Sequence, residues 1–183
     1  MLRKLSTFIP IIWGVVFAAS VIEVSNRETE FNMQQINPSV LNINITTGDI
    51  VTFSEMTDEG EYTRLSLPGF HMSHDVGEPE LPEIHSLIEI PQEASPYIEI
   101  VSSKYRDYSL TDLGISTPIF PAQPSLSKSQ NPGDNPFSIN TEVYSKNTLL
   151  QKEIVSVIIE GQLRAIQIAN LNIRPIEYNP VKN

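Results

Sequence analysis

Leu41-Asn42-Ile43-Asn44-Ile45-Thr46 alternates apolar and polar side chains at every step. A period of two puts one set of side chains on a buried face and the other in water, which is the pattern of a half-buried β-strand. The same period recurs downstream. Thr63, Leu65 and Leu67 alternate with Arg64 and Ser66, and Ile84, Ile88 and Ile90 lie opposite His85 and Glu89. Thr57-Asp58-Glu59-Gly60 reads as the tight turn of a hairpin. Ile154 to Ile159 is almost continuously β-branched, so a strand covered on both faces is expected there. Ile166 and Ile168 are in one phase and Leu171 and Ile173 in the other, which predicts a β-bulge near Ala169-Asn170.

No amphipathic helix stands out. The chain's 14 prolines punctuate it every few strands, with Pro79, Pro82, Pro91 and Pro96 confining short ones. Many short strands between prolines and glycines predict an all-β fold, an antiparallel, jelly-roll-like β-sandwich. One stretch departs from the pattern. Residues 117–137 hold five prolines, three serines and few large apolar residues. A structureless connection of this length inside a domain is unusual, and such loops are often functional.

The N-terminus has the form of an address. Arg3 and Lys4 precede an apolar run from Phe8 to Ala19, and Ala18-Ala19-Ser20 supplies small residues for cleavage after Ser20. The expected organisation is a signal peptide over 1–20, a leader or linker over 21–37, and a β-sandwich domain over 38–183. The signal's apolar core is shorter than the ~20 residues a membrane span takes. Export to the periplasm, cell surface or extracellular space is therefore expected, with no membrane span after processing.

The chain of 183 residues has no cysteine, and so neither a thiol nucleophile nor a thiolate metal site. Its 22 acidic and 12 basic residues leave a net charge of −10. Nucleic-acid binding needs clustered positive charge and is not expected. His71 and His74, with Asp75 and Glu78 close by, form a weak candidate metal site, but the spacing is not that of the helical His-Glu-x-x-His motif. No Gly-x-Ser-x-Gly elbow and no Gly-rich phosphate loop occur. No cofactor and no catalytic residue are expected.

Three ordered stretches resemble a known family. They are Val76-Gly77-Glu78-Pro79-Glu80-Leu81-Pro82, then Glu99-Ile100-Val101-Ser102-Ser103-Lys104-Tyr105, then Ile173-Arg174-Pro175-Ile176-Glu177-Tyr178-Asn179-Pro180-Val181. Together they are similar to the N-terminal prodomain of bacterial gingipain-type cysteine peptidases, over roughly residues 51–183. The resemblance implies a non-catalytic, inhibitory and chaperone-like module that keeps a zymogen silent until it is removed. Its partner would be the catalytic domain of a caspase-like cysteine peptidase. The resemblance also implies an exposed loop that presents a basic side chain to the protease pocket, followed two residues later by Asn-Pro in the Arg-specific relatives. Here that run is Ser127-Lys128-Ser129-Gln130-Asn131-Pro132, with Lys128 at the pocket-filling position. In the family another strand and a peptidase follow at the position of Asn183, so either the chain is truncated at its C-terminus or the module acts alone. The competing reading is a secreted β-sandwich binding or adhesion module with no protease partner.

Overall fold

A computed structural model describes residues 19–23, 28–130, 135–150, 153–164 and 166–183. Among the described residues nine strands form, and all pair antiparallel. A three-stranded sheet has the order β1 (Ala19–Ile22), β4 (Ile50–Thr57), β5 (Gly60–Ser66). A four-stranded sheet has the order β6 (His71–Met72), β7 (Pro82–Ile90), β9 (Ile166–Ile173), β8 (Val155–Leu163). A separate hairpin joins β2 (Glu30–Asn37) to β3 (Val40–Thr46). The helix among the described residues is a single turn, α1 (Thr141–Tyr144), capped by Asn140, whose Oδ1 accepts from Val143 N at 3.2 Å.

The period-two stretches do what the alternation predicts. Met33, Ile43 and Ile45 lay the β2–β3 hairpin against Ile84, Leu171 and Ile173 of the four-stranded sheet. A second core gathers Ile22, Leu65, Leu110, Ile119 and Tyr178, joined at its margin by Ile50, Leu81, Ile115 and Leu150. The fold is thus an antiparallel β-sandwich. The turn at Thr57–Gly60 closes β4 onto β5, with Thr57 paired to Gly60 and the Thr57 hydroxyl accepting from Glu59 N at 3.2 Å.

Four expectations are corrected. The β-branched run in β8 is not covered on both faces, since Ile158 is 62% exposed. Val155 packs against the core of Ile84, Leu171 and Ile173, while Ile158 and Ile159 stay exposed. The bulge falls on β8, where the register slips between Ile159 and Gly161, opposite Ala169 and Ile168. β9 itself pairs with β7 in unbroken register, so the extra residue sits on the partner strand β8. Residues 117–137 are not one structureless loop, since Ile119, Phe120, Pro121 and Ala122 are all buried. Finally, the stretch expected as a leader carries structure: Ile22 is buried in β1 and residues 30–37 form β2.

The expected signal stretch lies almost wholly outside the described residues. Ser20, its expected cleavage position, is in β1, with its hydroxyl 2.5 Å from that of Thr52. Among the described residues no helix is long and apolar enough to cross a membrane.

Candidate functional site

The site is built around the two feet of the loop that carries Lys128. The incoming foot is held from three sides. Thr63 N donates to Pro118 O and Phe120 N donates to Thr63 O, both at 2.8 Å, so the segment runs as a short extra strand beside β5. Ile119 has no exposed surface. Its N–H donates to the Tyr178 hydroxyl at 3.4 Å, and its carbonyl accepts from the Tyr144 hydroxyl at 2.6 Å. Burying a backbone polar group without a partner is costly, so these two phenols are what make this depth tolerable. Burial drives the pKa of Tyr144 well above the ordinary tyrosine value and raises that of Tyr178, where the bond from Ile119 N partly offsets the rise.

The segment Val76–Pro82 clamps both feet at once. Gly77 N donates to Ala122 O, Ala122 N donates to Glu78 O and Glu80 N donates to Phe120 O, all at 2.8 Å. On the other foot Asn140 N donates to Gly77 O at 2.8 Å. Gly77 adopts φ +82, and a Cβ there would stand 3.0 Å from Asn140 N. Only glycine meets both demands. The Gly-x-Pro-x-Leu-Pro stretch of the sequence is therefore the buckle that closes the loop.

A side chain completes the closure. Gln123 Nε2 donates to Ser138 O at 2.8 Å and Ser138 N donates to Gln123 Oε1 at 2.9 Å, a two-bond bridge between the feet. Below it, the rings of Tyr62, Phe120 and Phe137 lie 5.3–5.9 Å apart. The Arg64 guanidinium covers the Phe120 ring at 3.7 Å and reaches Glu80 at 2.6 Å. Burial raises the Glu80 pKa, with Arg64 and His74 pulling the other way.

Above this base the loop projects into solvent. Ser127–Gln130 form a turn in which Gln130 N donates to Ser127 O at 3.0 Å. Gln130 Oε1 accepts from Ser127 N at 2.9 Å, and the hydroxyls of Ser127 and Ser129 stand 3.1 Å apart. Lys128 occupies the second position of that turn and is exposed. Asn131 and Pro132, the remaining expected loop residues, lie outside the described residues.

The other sequence candidates are placed as follows. His71 is in β6 and His74 follows it, both exposed. Among the described residues no group of three or more His, Asp or Glu side chains is placed to hold a metal ion. A buried charge cluster that sequence reasoning missed links β7 to the end of β9. Glu83 accepts from His85 Nε2 at 2.7 Å and from Arg174 Nε at 3.2 Å. It serves as an internal tie between strands, with the carboxylate compensated by Arg174. Its signal was weak, because Glu83 is one of two glutamates in β7 and nothing near it in sequence marks Arg174 as its partner.

Comparison with known proteins agrees with this architecture. The Propeptide_C25 family profile matches residues 23–183. Lys-gingipain HG66 and a second Lys-gingipain, both of Porphyromonas gingivalis, are 35% identical over 127 residues, 69% of this chain. The match spans only 7% of the length of these relatives. A structure of gingipain K from the same organism, described as giving insight into its zymogenic latency, superposes with a TM-score of 0.82 at 28% identity, covering 91% of each chain. A complex of the pro- and mature domains of the organism's RgpB shares the fold, with a TM-score of 0.70 at 19% identity over 85% of this chain and 78% of that one. The chain therefore belongs to the Propeptide_C25 family: it is a gingipain-type propeptide, a module with no catalysis of its own.

Proposed function

We propose that this propeptide is exported and silences a gingipain-type, caspase-like cysteine peptidase by placing Lys128 in its basic-residue pocket until proteolysis removes the module. The observation that carries the reading is the contrast within one loop. Its feet are fastened by Gly77, Gln123 and Ser138, while Lys128 stands exposed at the turn. A side chain presented on a pre-shaped loop loses little entropy on docking. Its ammonium would gain a charge-assisted contact in an acidic pocket, and its aliphatic stem would be buried. Lysine rather than arginine suits a pocket that takes a compact cation, since the two are not interchangeable at a bidentate site.

The test is inhibition of a purified Lys-specific gingipain by the purified module, read with a lysyl substrate. The Lys128→Ala variant is expected to inhibit about 10–100-fold less well, the worth of one or two charge-assisted contacts at ~1.5–3 kcal/mol. Equal inhibition by the variant and the parent would sink the pocket-filling role, and no inhibition by the parent would sink the propeptide–peptidase pairing.

A further inference from the structure

The stretch that follows β9 closes in a turn at residues 179–183. Asn179 builds it: its Oδ1 accepts from Val181 N and Lys182 N, both at 3.1 Å, and its carbonyl accepts from Asn183 N at 3.0 Å. Tyr178, just before the turn, is buried in the core of Ile22, Leu65, Leu110 and Ile119. Asn183 takes φ +46, a left-handed backbone that asparagine enters more readily than most residues with a side chain. The turn thus delivers one half-buried amide side chain against the segment that leads into the loop carrying Lys128.

Every polar group of Asn183 has a partner there. Its carbonyl accepts from Leu110 N at 3.0 Å and from Thr111 N at 3.4 Å. Its Nδ2 donates to Ile115 O at 3.1 Å and to Thr117 O at 3.3 Å. Its Oδ1 accepts from the Tyr178 hydroxyl at 2.7 Å. A hydroxyl has one proton to give and lone pairs to receive with. With that proton committed to Asn183, the lone pairs of Tyr178 are left for Ile119 N, which donates to it at 3.4 Å. The carbonyls of Ile115 and Thr117, drawn to a single amide, fix the path of the chain immediately before the incoming foot. From there the Thr117 hydroxyl meets that of Thr63 at 2.6 Å, and Thr63 N donates to Pro118 O at 2.8 Å. Glycine would satisfy the backbone angle alone, so asparagine here answers the side-chain contacts as well.

We propose that Asn183 is a positioning residue for the loop: through Ile115, Thr117 and Tyr178 it sets where the incoming foot leaves the core, and through that foot the reach of Lys128. Gly77 and Gln123 close the loop beyond Phe120, whereas Asn183 acts on its entry. Displacing Asn183 releases two carbonyls and one phenol together, so the module's C-terminal turn and its loop are mechanically coupled. The consequence for inhibition rests on the function proposed above; the placement of the foot does not.

The test uses Asn183→Gly, which keeps the backbone angle and removes the side chain, in the purified full chain. Hydrogen exchange is expected to quicken about tenfold or more at the Ile119 amide and to stay unchanged at Leu171 and Ile173 in the other core, the mark of local opening. Asn183→Asp keeps the acceptor for Tyr178 but loses the donor to Ile115 and Thr117, and is expected not to restore slow exchange. Unchanged exchange at Ile119, or equal quickening in both cores, overturns the proposal whatever the inhibition assay gives. Inhibition is read as a double-mutant cycle with Lys128→Ala. Asn183→Gly is expected to weaken inhibition about tenfold, the worth of roughly one hydrogen bond, when Lys128 is present, and to have no further effect when it is absent. Equal weakening in both backgrounds would show that Asn183 supports inhibition without acting through Lys128, and would overturn the positioning role. If Lys128→Ala itself leaves inhibition unaltered, the pocket-filling function fails, and quickened exchange confined to Ile119 still upholds Asn183 as the residue that places the foot.

Discussion

Ile119 is the residue on which the loop's position turns, since both of its backbone polar groups end on tyrosine hydroxyls. Tyr144→Phe keeps the ring and leaves the Ile119 carbonyl buried without its donor, at a cost of about 1–3 kcal/mol. A lowered urea midpoint with an unchanged slope would verify this, and an unchanged midpoint would contradict it. The same hydroxyls set an alkaline limit. The folded-state pKa values of Tyr144 and Tyr178 lie above the ordinary value of 10.0, so the folded chain holds these protons more tightly than the unfolded chain. The stabilisation is fully present below about pH 10 and is lost as pH rises above it. Thermal melts from pH 8 to pH 11 should therefore show a midpoint that falls in the upper part of the range, and Tyr144→Phe should flatten the fall. Tyr178 belongs to the Pro-x-x-Tyr-Asn-Pro stretch that stood out in the sequence. Tyr144 carried no such signal, because a side chain reaching a backbone 25 residues away leaves no local pattern.

At the scale of elements, the loop and its buckle are separate devices. Gly77→Ala combines a strained φ of +82 with a Cβ 3.0 Å from Asn140 N, at a cost of at least about 1–2 kcal/mol. The expected result is faster hydrogen exchange at Ala122 and Asn140 and weaker inhibition, even though Lys128 is untouched. Retained slow exchange at both amides would show that the clamp does not depend on glycine there. The sequence reading saw Gly77 as part of a turn motif and the loop as a compositional oddity, but nothing in either stretch connected them. Their link is a set of backbone bonds, Gly77 to Ala122 and Asn140 and Glu80 to Phe120, between segments far apart in sequence. The β8 run teaches the same lesson from the other side. Its composition predicted cover on both faces, but which strands end a sheet depends on the strand order, and that is a non-local property.

Across the whole molecule the net charge of −10 acts at a distance that single contacts do not reach. If its partner surface is basic, association with the peptidase should slow about tenfold as salt rises from roughly 0.05 to 0.5 M, while dissociation changes far less. Stopped-flow binding at several salt concentrations would decide this, and a salt-independent association rate would remove steering by charge from the account. The all-β class was legible from the period-two strands, because alternation reports directly which face of a strand is buried. The absence of a thiol nucleophile was legible from composition, while Lys128 is singled out only by the resemblance of its run to a family motif. The tertiary structure alone decided that Ile119 to Ala122, within a proline-rich loop, are core. It also decided that Val76–Pro82 fastens both feet of that loop, and that β8 ends its sheet. Alternation is a property of neighbours along the chain. Depth, closure and unpaired edges are set by partners far away in sequence, and only the folded chain brings those together.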